Sequence, residues 1–301
     1  MLFFIYYLGL FHIIMNLFTF LRWTYITFLR SPKNLKTLYG SWALITGSSD
    51  GIGRAFAFQL ASHSFNLILV SRNPEKLDLV SSEIRQTYPS INVRTLSVDF
   101  SEDMSYTVRE IERVVEGLDV GVLVNNVGIT YPKAMYFHEV DEDVWMKILR
   151  VNIGATTGVT KAVLPGMISR KKGAIVNIGS AASVVVPSHP LFAIYAATKA
   201  YVDQFSRSLH VEYKSLGIDV QCQVPLYVAT KMATCVAKVQ GSSLFVPTAE
   251  DYAAAGVQWV GFGARCSPYW AHALQWCATS LVPKSLLDAW RLSIGIHRRS
   301  N

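Results

Sequence analysis

The chain has 301 residues and a formal net charge of +7, with 51% hydrophobic and only 16% charged residues. That length suits one α/β core with extensions better than two independent domains, and the balance is too apolar for an ordinary soluble enzyme, so membrane contact is expected. The positive charge suits an anionic membrane surface or a phosphorylated ligand, whereas a nucleic-acid role lacks any recognition motif.

Residues 2–21 are almost wholly apolar and aromatic, about the ~20 residues a helix needs to cross a bilayer core, with His12 and Asn16 as polar interruptions. No basic segment precedes this run and no small-residue cleavage site comes after it before Arg22, which favours an uncleaved anchor or in-plane helix over a signal peptide. Arg22, Arg30, Lys33 and Lys36 come next, and the positive-inside bias puts the rest of the chain on the cytosolic side. We therefore expect an anchor over 1–30 and a polar linker over 31–40.

From Ser41 strands and helices alternate. WALIT, NLILVSR, VRTLSVD, VGVLVNN, GAIVNIG and IDVQCQV are apolar runs bounded by turn signals, with helical segments between them, the first of which is RAFAFQLAS. Asn73-Pro74-Glu75 opens a capped helix, Pro suiting its first position. Such strands imply a parallel sheet covered on both faces, a doubly wound Rossmann arrangement over 41–248. Over 249–301 the pattern changes to an apolar extension. One helix fits 249–262; residues 269–287, near Trp270, Trp276 and Trp290, read either as a membrane-dipping element or as helices closing the fold. The four cysteines, Cys222, Cys235, Cys266 and Cys277, show no zinc spacing and read as reduced, half-buried thiols, with no metal expected.

Between the first strand and its helix stands Thr46-Gly47-Ser48-Ser49-Asp50-Gly51-Ile52-Gly53, where glycines let a backbone approach a pyrophosphate at the helix N-terminus. Its T-G-x-x-x-G-x-G spacing resembles that of the short-chain dehydrogenase/reductase family, whose motifs recur in order over 41–232. All of 47–53 are then candidate cofactor contacts. At the end of the second strand stands Ser71-Arg72-Asn73, and a basic Arg72 where an acidic residue would bind ribose hydroxyls points to NADP(H); Arg54 is a possible helper. The resemblance further implies that Asp99 holds adenine. Asn126, in Asn125-Asn126-Val127-Gly128, would steady the sheet edge beside the cofactor; Val127 departs from the family's usual Ala. In 224–230, Val228 and Thr230 match the cofactor-side loop; Leu226 replaces a family glycine, which Leu can follow only where φ is negative.

Tyr195 and Lys199 are four residues apart, on one face of a helix, and a neighbouring cation favours phenolate. The resemblance implies that Tyr195 gives a proton to a ketone oxygen as hydride arrives, that Lys199 also binds the nicotinamide ribose, that Ser180 polarises the substrate oxygen, and that Asn152 holds a relay water.

The apolar N-terminus, NNVG, KKGAIVNIGS, YAATKAYVDQFSRSLHVEYK and GIDVQCQVPLYVATKMA resemble the very-long-chain 3-oxoacyl-CoA reductases of the endoplasmic reticulum, particularly the plant type. That implies reduction of a 3-oxoacyl-CoA substrate by NADPH at the membrane, with other fatty-acid elongase subunits as partners. A 17β-hydroxysteroid dehydrogenase is the alternative; a catalytically silent elongase partner is a more distant one. Residues 184–192 and 233–246 are expected substrate walls, and Arg298-Arg299-Ser300-Asn301 reads as a solvated tail or a dibasic retrieval signal.

Overall fold

In the computed structural model, residues 2–31 and 33–300 are described; Met1 of the expected anchor, Pro32 of the linker and Asn301 of the tail lie outside them. The chain divides into two units, Met1–Lys33 and Asn34–Asn301. The first is an α-helix, Leu2–Thr24, running into a π-helical turn, Tyr25–Leu29. Phe3–Leu29 is the one helix among the described residues long and apolar enough to cross a membrane, with a mean hydropathy of 1.7, and it fits membrane association.

The second unit is built on a seven-stranded parallel sheet: β1 (Trp42–Thr46), β2 (Asn66–Ser71), β3 (Val93–Ser97), β4 (Val120–Asn125), β5 (Gly173–Ile178), β6 (Ile218–Gln223) and β7 (Arg265–Cys266), in the order β3-β2-β1-β4-β5-β6-β7. The first six fall on the six expected apolar runs. Successive residues of each strand feed opposite faces. Ala43, Ile45, Leu67, Leu69, Val122 and Val124 join one core with Phe56 and Leu60 of the helix Gly51–Ser62 and Tyr252 of the helix Ala249–Gln258. Leu44, Ile68, Val70 and Leu123 join the other with Val159 and Val163 of the helix Thr156–Arg170. Burial on both faces is why these strands read as continuous apolar runs rather than alternating ones. The chain reverses direction across the sheet between β1 and β4, and the crevice beyond their carboxyl ends is where such sheets take ligands.

Three sequence expectations are corrected. The segment 31–40 is not a plain linker, because Leu35–Tyr39 is a helical turn with both end residues buried and the Tyr39 hydroxyl donating to Asp219 Oδ2 at 2.7 Å. The sheet does not end at 248, and of the two readings of 269–287 the helices that close the fold are the one found. β7 extends the sheet beside β6, and Gln221 and Gln223 of β6 donate to backbone carbonyls of Trp259 and Gly256. The helices Trp270–Ser280 and Lys284–Ser300 close the fold through buried Ala271, His272, Leu287 and Arg291. Finally, the thiols are not half-buried: Cys222 and Cys266 are buried in and beside the sheet, Cys235 and Cys277 exposed.

Gly121 of β4 lies against the backbone leaving that helical turn, where an added Cβ would sit 2.4 Å from the Gly40 nitrogen. Backbone cannot yield as a side-chain tip can. Gly121→Ala is expected to destabilise the fold by about 2 kcal/mol, seen as a lower urea midpoint; an unchanged midpoint would show that the turn is not packed as described.

Candidate active site

The turn after β1 is shaped by glycines that no other residue can replace cheaply. Gly47 has φ +65° and Gly51 φ +53°, and a Cβ on Gly53 would stand 2.2 Å from the Gly47 oxygen. From the end of β4, Asn126 donates through Nδ2 to the carbonyls of Thr46 at 3.0 Å and Gly47 at 3.2 Å, while Thr46 Oγ1 accepts from the Asn126 and Val127 amides. The open N-terminus of the helix Gly51–Ser62 thus faces the crevice between β1 and β4, a cradle that fits a dinucleotide pyrophosphate.

Most of the expected cofactor residues surround this cradle. Gly47, Asp50, Gly51, Ile52 and Asn126 line a cavity of about 630 Å³ together with Val228 and Thr230. Ser48 is buried behind the turn, its hydroxyl donating to Val70 O, and the Ser49 hydroxyl bonds that of Ser71 at 2.7 Å, tying the turn to the end of β2. Asp50 accepts from Gly51 N at 2.8 Å and from Lys231 Nζ at 2.6 Å. Arg72 and Asp99 stand off the cavity as a pair, Nη1 to Oδ2 3.5 Å, with the Arg72 side chain 78% exposed. Burial pushes the Asp99 carboxyl up, but hydrogen bonds from Ser101 and the charge of Arg72 outweigh it and hold it below its ordinary value. Arg54, the possible helper, instead pairs with Glu83 and lies over the Phe58 ring. Leu226 is absent from the positive-φ residues, so the loop after β6 passes without the family's glycine.

Of the four catalytic candidates, Ser180, Tyr195 and Lys199 line the same cavity, while Asn152 is buried outside its lining. Tyr195 and Lys199 lie on the helix Ala193–Tyr213, and Ser180 caps the short helix Ala181–Val184 beyond β5. Ser180 lines the cavity beside the Tyr195 phenol, whose pKa its hydroxyl acts to lower. Lys199 Nζ donates to Ile178 O at 2.9 Å and lies 5.9 Å from the Tyr195 ring centre. A Cβ on Gly128 would be 3.4 Å from both Lys199 Nζ and Asn152 Oδ1, so both side chains pack against that glycine. Asn152 sits in a π-helical segment, Arg150–Ala155, a widened turn of the kind found at functional sites. It accepts from Ile129 N and donates to Ile129 O and Thr198 Oγ1.

The electrostatics correct the expectation that Lys199 pulls the Tyr195 phenol down. Burial pushes that phenol above its ordinary value, against the influence of the Ser180 hydroxyl, and Tyr227 adds to the rise. Burial likewise pulls the Lys199 ammonium down to about 8. Here the desolvation of each charged form outweighs a cation turned toward a carbonyl. The phenol is therefore protonated at neutral pH, the state in which it can act as an acid.

Both expected substrate walls reach the cavity, through Val185 and His189 and through Ala233 and Val236. The opposite wall was not expected: Gln275, Thr279, Trp290, Arg291 and Arg298 come from the two C-terminal helices. The tail is no solvated run, since Arg299 makes a two-pronged bond to Glu139 at 2.6 and 2.7 Å and Arg298 Nη1 donates to the Tyr227 hydroxyl. Reading the sequence also missed His272, whose Nδ1 accepts from Leu226 N at 3.3 Å and whose Nε2 donates to Tyr227 O at 3.1 Å. Its only signal was an imidazole in an otherwise apolar stretch.

Fold, glycine cradle and phenol–lysine floor define an oxidoreductase of the dinucleotide-binding class. The profile of the family described as short chain dehydrogenase matches residues 41–240. The chain is 60% identical over 280 residues to a very-long-chain 3-oxoacyl-CoA reductase-like protein of Arabidopsis thaliana, covering 93% of this chain and 89% of that one. It is 40% identical over 288 residues to the human inactive hydroxysteroid dehydrogenase-like protein 1, covering 96% and 85%. The solved short-chain dehydrogenase from Sphingobium yanoikuyae in complex with NADPH superposes with a TM-score of 0.67 at 28% identity, covering 82% and 95%. The chain belongs to the short-chain dehydrogenase family, and its fold is one that binds a nicotinamide cofactor.

Burial holds the His272 imidazole at about 4, against 6.5 for a free side chain. The unfolded chain therefore takes up the proton first, so stability is full above about pH 6.5 and falls by about 3 kcal/mol in all as the pH drops toward 4. His189, held at about 3 by burial and by Arg291 and Arg298, acts in the same sense. In thermal melts between pH 7 and pH 5, His272→Gln is expected to show a shallower loss of Tm than wild type; parallel slopes would remove His272 from the account.

Proposed function

We propose that this protein reduces very-long-chain 3-oxoacyl-CoA to 3-hydroxyacyl-CoA with NADPH, at the endoplasmic reticulum membrane with its catalytic unit in the cytosol, as one of the activities of fatty-acid elongation. The observation that carries this reading is the intact Ser180, Tyr195 and Lys199 floor opening into a largely apolar cavity beside the glycine cradle. The bound nicotinamide would supply hydride to the ketone carbon. Tyr195 gives its proton to the ketone oxygen, Ser180 donates a hydrogen bond to the same oxygen, and Lys199 with Asn152 returns a proton to the phenol from solvent. Arg72, at the mouth of the adenine side, holds the 2′-phosphate through its forked donors, and Asp99 steadies it. The apolar helix over Phe3–Leu29 keeps the enzyme where a long acyl chain partitions.

The name of the human relative raises a silent protein as a rival. A complete set of acid, polarising hydroxyl and ammonium in contact with the cavity argues against silence here. A hydroxysteroid dehydrogenase would use the same residues on another apolar ketone.

Membranes carrying wild type or Tyr195→Phe, assayed for NADPH oxidation, test the reading. Wild type is expected to favour long-chain 3-oxoacyl-CoA over a 17-ketosteroid, and the variant to lose at least about a hundredfold in rate. Equal activity of the two proteins would remove the mechanism, and a preference for the steroid would replace the substrate. Separately, Arg72→Ala is expected to raise KM for NADPH at least about tenfold while leaving KM for NADH near its wild-type value; equal rises for both would deny Arg72 its phosphate.

A further inference from the structure

The wall supplied by the helix Lys284–Ser300 breaks the apolar character of the cavity. Arg291 and Arg298 are seven residues apart, two turns on one face of that helix, and both line the cavity. Arg291 is only 7% exposed. Its Nη2 lies 2.8 and 3.0 Å from the two ring nitrogens of His189, and its Nε is buried without any partner. Arg298 Nη1 donates to the Tyr227 hydroxyl at 3.2 Å, with the guanidinium 5.6 Å from that ring's centre.

Among the described residues no carboxylate pairs with either guanidinium. The helix's own Asp288 is taken by Ser188, and Glu139 is taken by Arg299. Leaving a buried cation without a counter-charge is costly, and the neighbours feel the field. Burial pushes the Tyr227 phenol up, yet Arg291 and Arg298 together hold it below its ordinary value. The pair is also held firmly in place: Ser188–Asp288 and the Arg291–His189 contact fasten the helix to the substrate loop, and Gly295 lets it approach so closely that a Cβ there would be 3.0 Å from Leu191 Cδ1. Two guanidiniums fixed in this way, Arg291 buried and Arg298 half-buried at the cavity wall, are suited to a planar or tetrahedral oxyanion.

We propose that Arg291 and Arg298 form an anion subsite of the substrate cavity that takes a phosphate of the coenzyme A carrying the 3-oxoacyl chain, and that selects this thioester over uncharged ketones. The proposal rests on the acyl-CoA reading of the site, because the only charged groups of such a thioester are its phosphates. It supplies what the catalytic floor lacks, a contact that separates an acyl-CoA from a steroid of similar apolar bulk. An uncharged ketone in the same cavity leaves both guanidiniums unpaired, which is a penalty rather than a missing gain.

The full chain in detergent, as wild type, Arg298→Gln, Arg291→Gln and Arg298→Lys, is assayed with a 3-oxoacyl-CoA and with the uncharged N-acetylcysteamine thioester of the same acyl chain. Each Gln variant is expected to lower the ratio of kcat/KM for the CoA thioester to that for the neutral one by about tenfold or more, chiefly through KM, with Arg298→Lys intermediate. Free coenzyme A, measured by calorimetry, should bind wild type and weaken by a similar factor in Arg298→Gln. An unchanged ratio, an equal fall with both thioesters, or a rise in KM for NADPH with the neutral thioester would overturn the subsite. If wild type reduces neither thioester, the acyl-CoA reading fails by itself, and the calorimetric comparison still decides whether the pair binds the carrier's phosphates.

Discussion

The first turn of the helix Gly51–Ser62 is pressed into the loop that precedes it, so tightly that a Cβ on Gly53 would lie 2.2 Å from Gly47 O and 2.4 Å from Asn126 Nδ2. This contact aims the helix N-terminus at the crevice beyond β1 and β4, and Asn126 locks it by bonding two carbonyls of the same loop. Every other part of the site is placed relative to it. Ser49 joins the loop to the end of β2, where Arg72 begins, and Asp50 reaches Lys231 at the start of the helix Lys231–Ala237. The sheet order makes the approach possible, because the crossovers leave β1 and β4 in opposite senses and open a gap where no helix can cover the strand ends.

At the floor of that gap, burial rather than charge pairing sets protonation. Tyr195 is driven toward its neutral form and so is Lys199, whose ammonium is pulled to about 8. A phenol that keeps its proton is the form a ketone reduction consumes, and an ammonium lowered to about 8 gives up a proton more readily than an ordinary lysine. The π-helical segment at Asn152 serves the same floor by packing its side chain against Gly128, as the ammonium also packs.

The C-terminal helices give the site its remaining wall and its rigidity. His272, a neutral imidazole with both nitrogens bonded, holds the Leu226–Tyr227 backbone where the family uses a glycine. Tyr227 in turn sits between Tyr195, whose phenol it raises, and the guanidiniums of Arg291 and Arg298, which lower its own. Tyr227 thus links the charges of this wall to the Tyr195 phenol.

What the sequence alone determined is written in short, contiguous stretches: six of the seven strands, the glycine turn, Tyr195 and Lys199 one helical turn apart, Ser180 at a strand end, and the apolar N-terminal run. Each is local, set by periodicity, turn chemistry or spacing along one element. The two-residue β7, the buried turn at Leu35–Tyr39 and the C-terminal wall were decided by the tertiary structure. β7 is too short to carry a pattern and exists because β6 offers it an open edge. Arg291 and His272 look like ordinary members of surface and apolar helices until packing brings them to residues 102 and 46 positions earlier in the chain. Even the protonation of Tyr195, whose place the sequence marked, was fixed by how deeply the fold buries it, because desolvation depends on neighbours from every part of the chain.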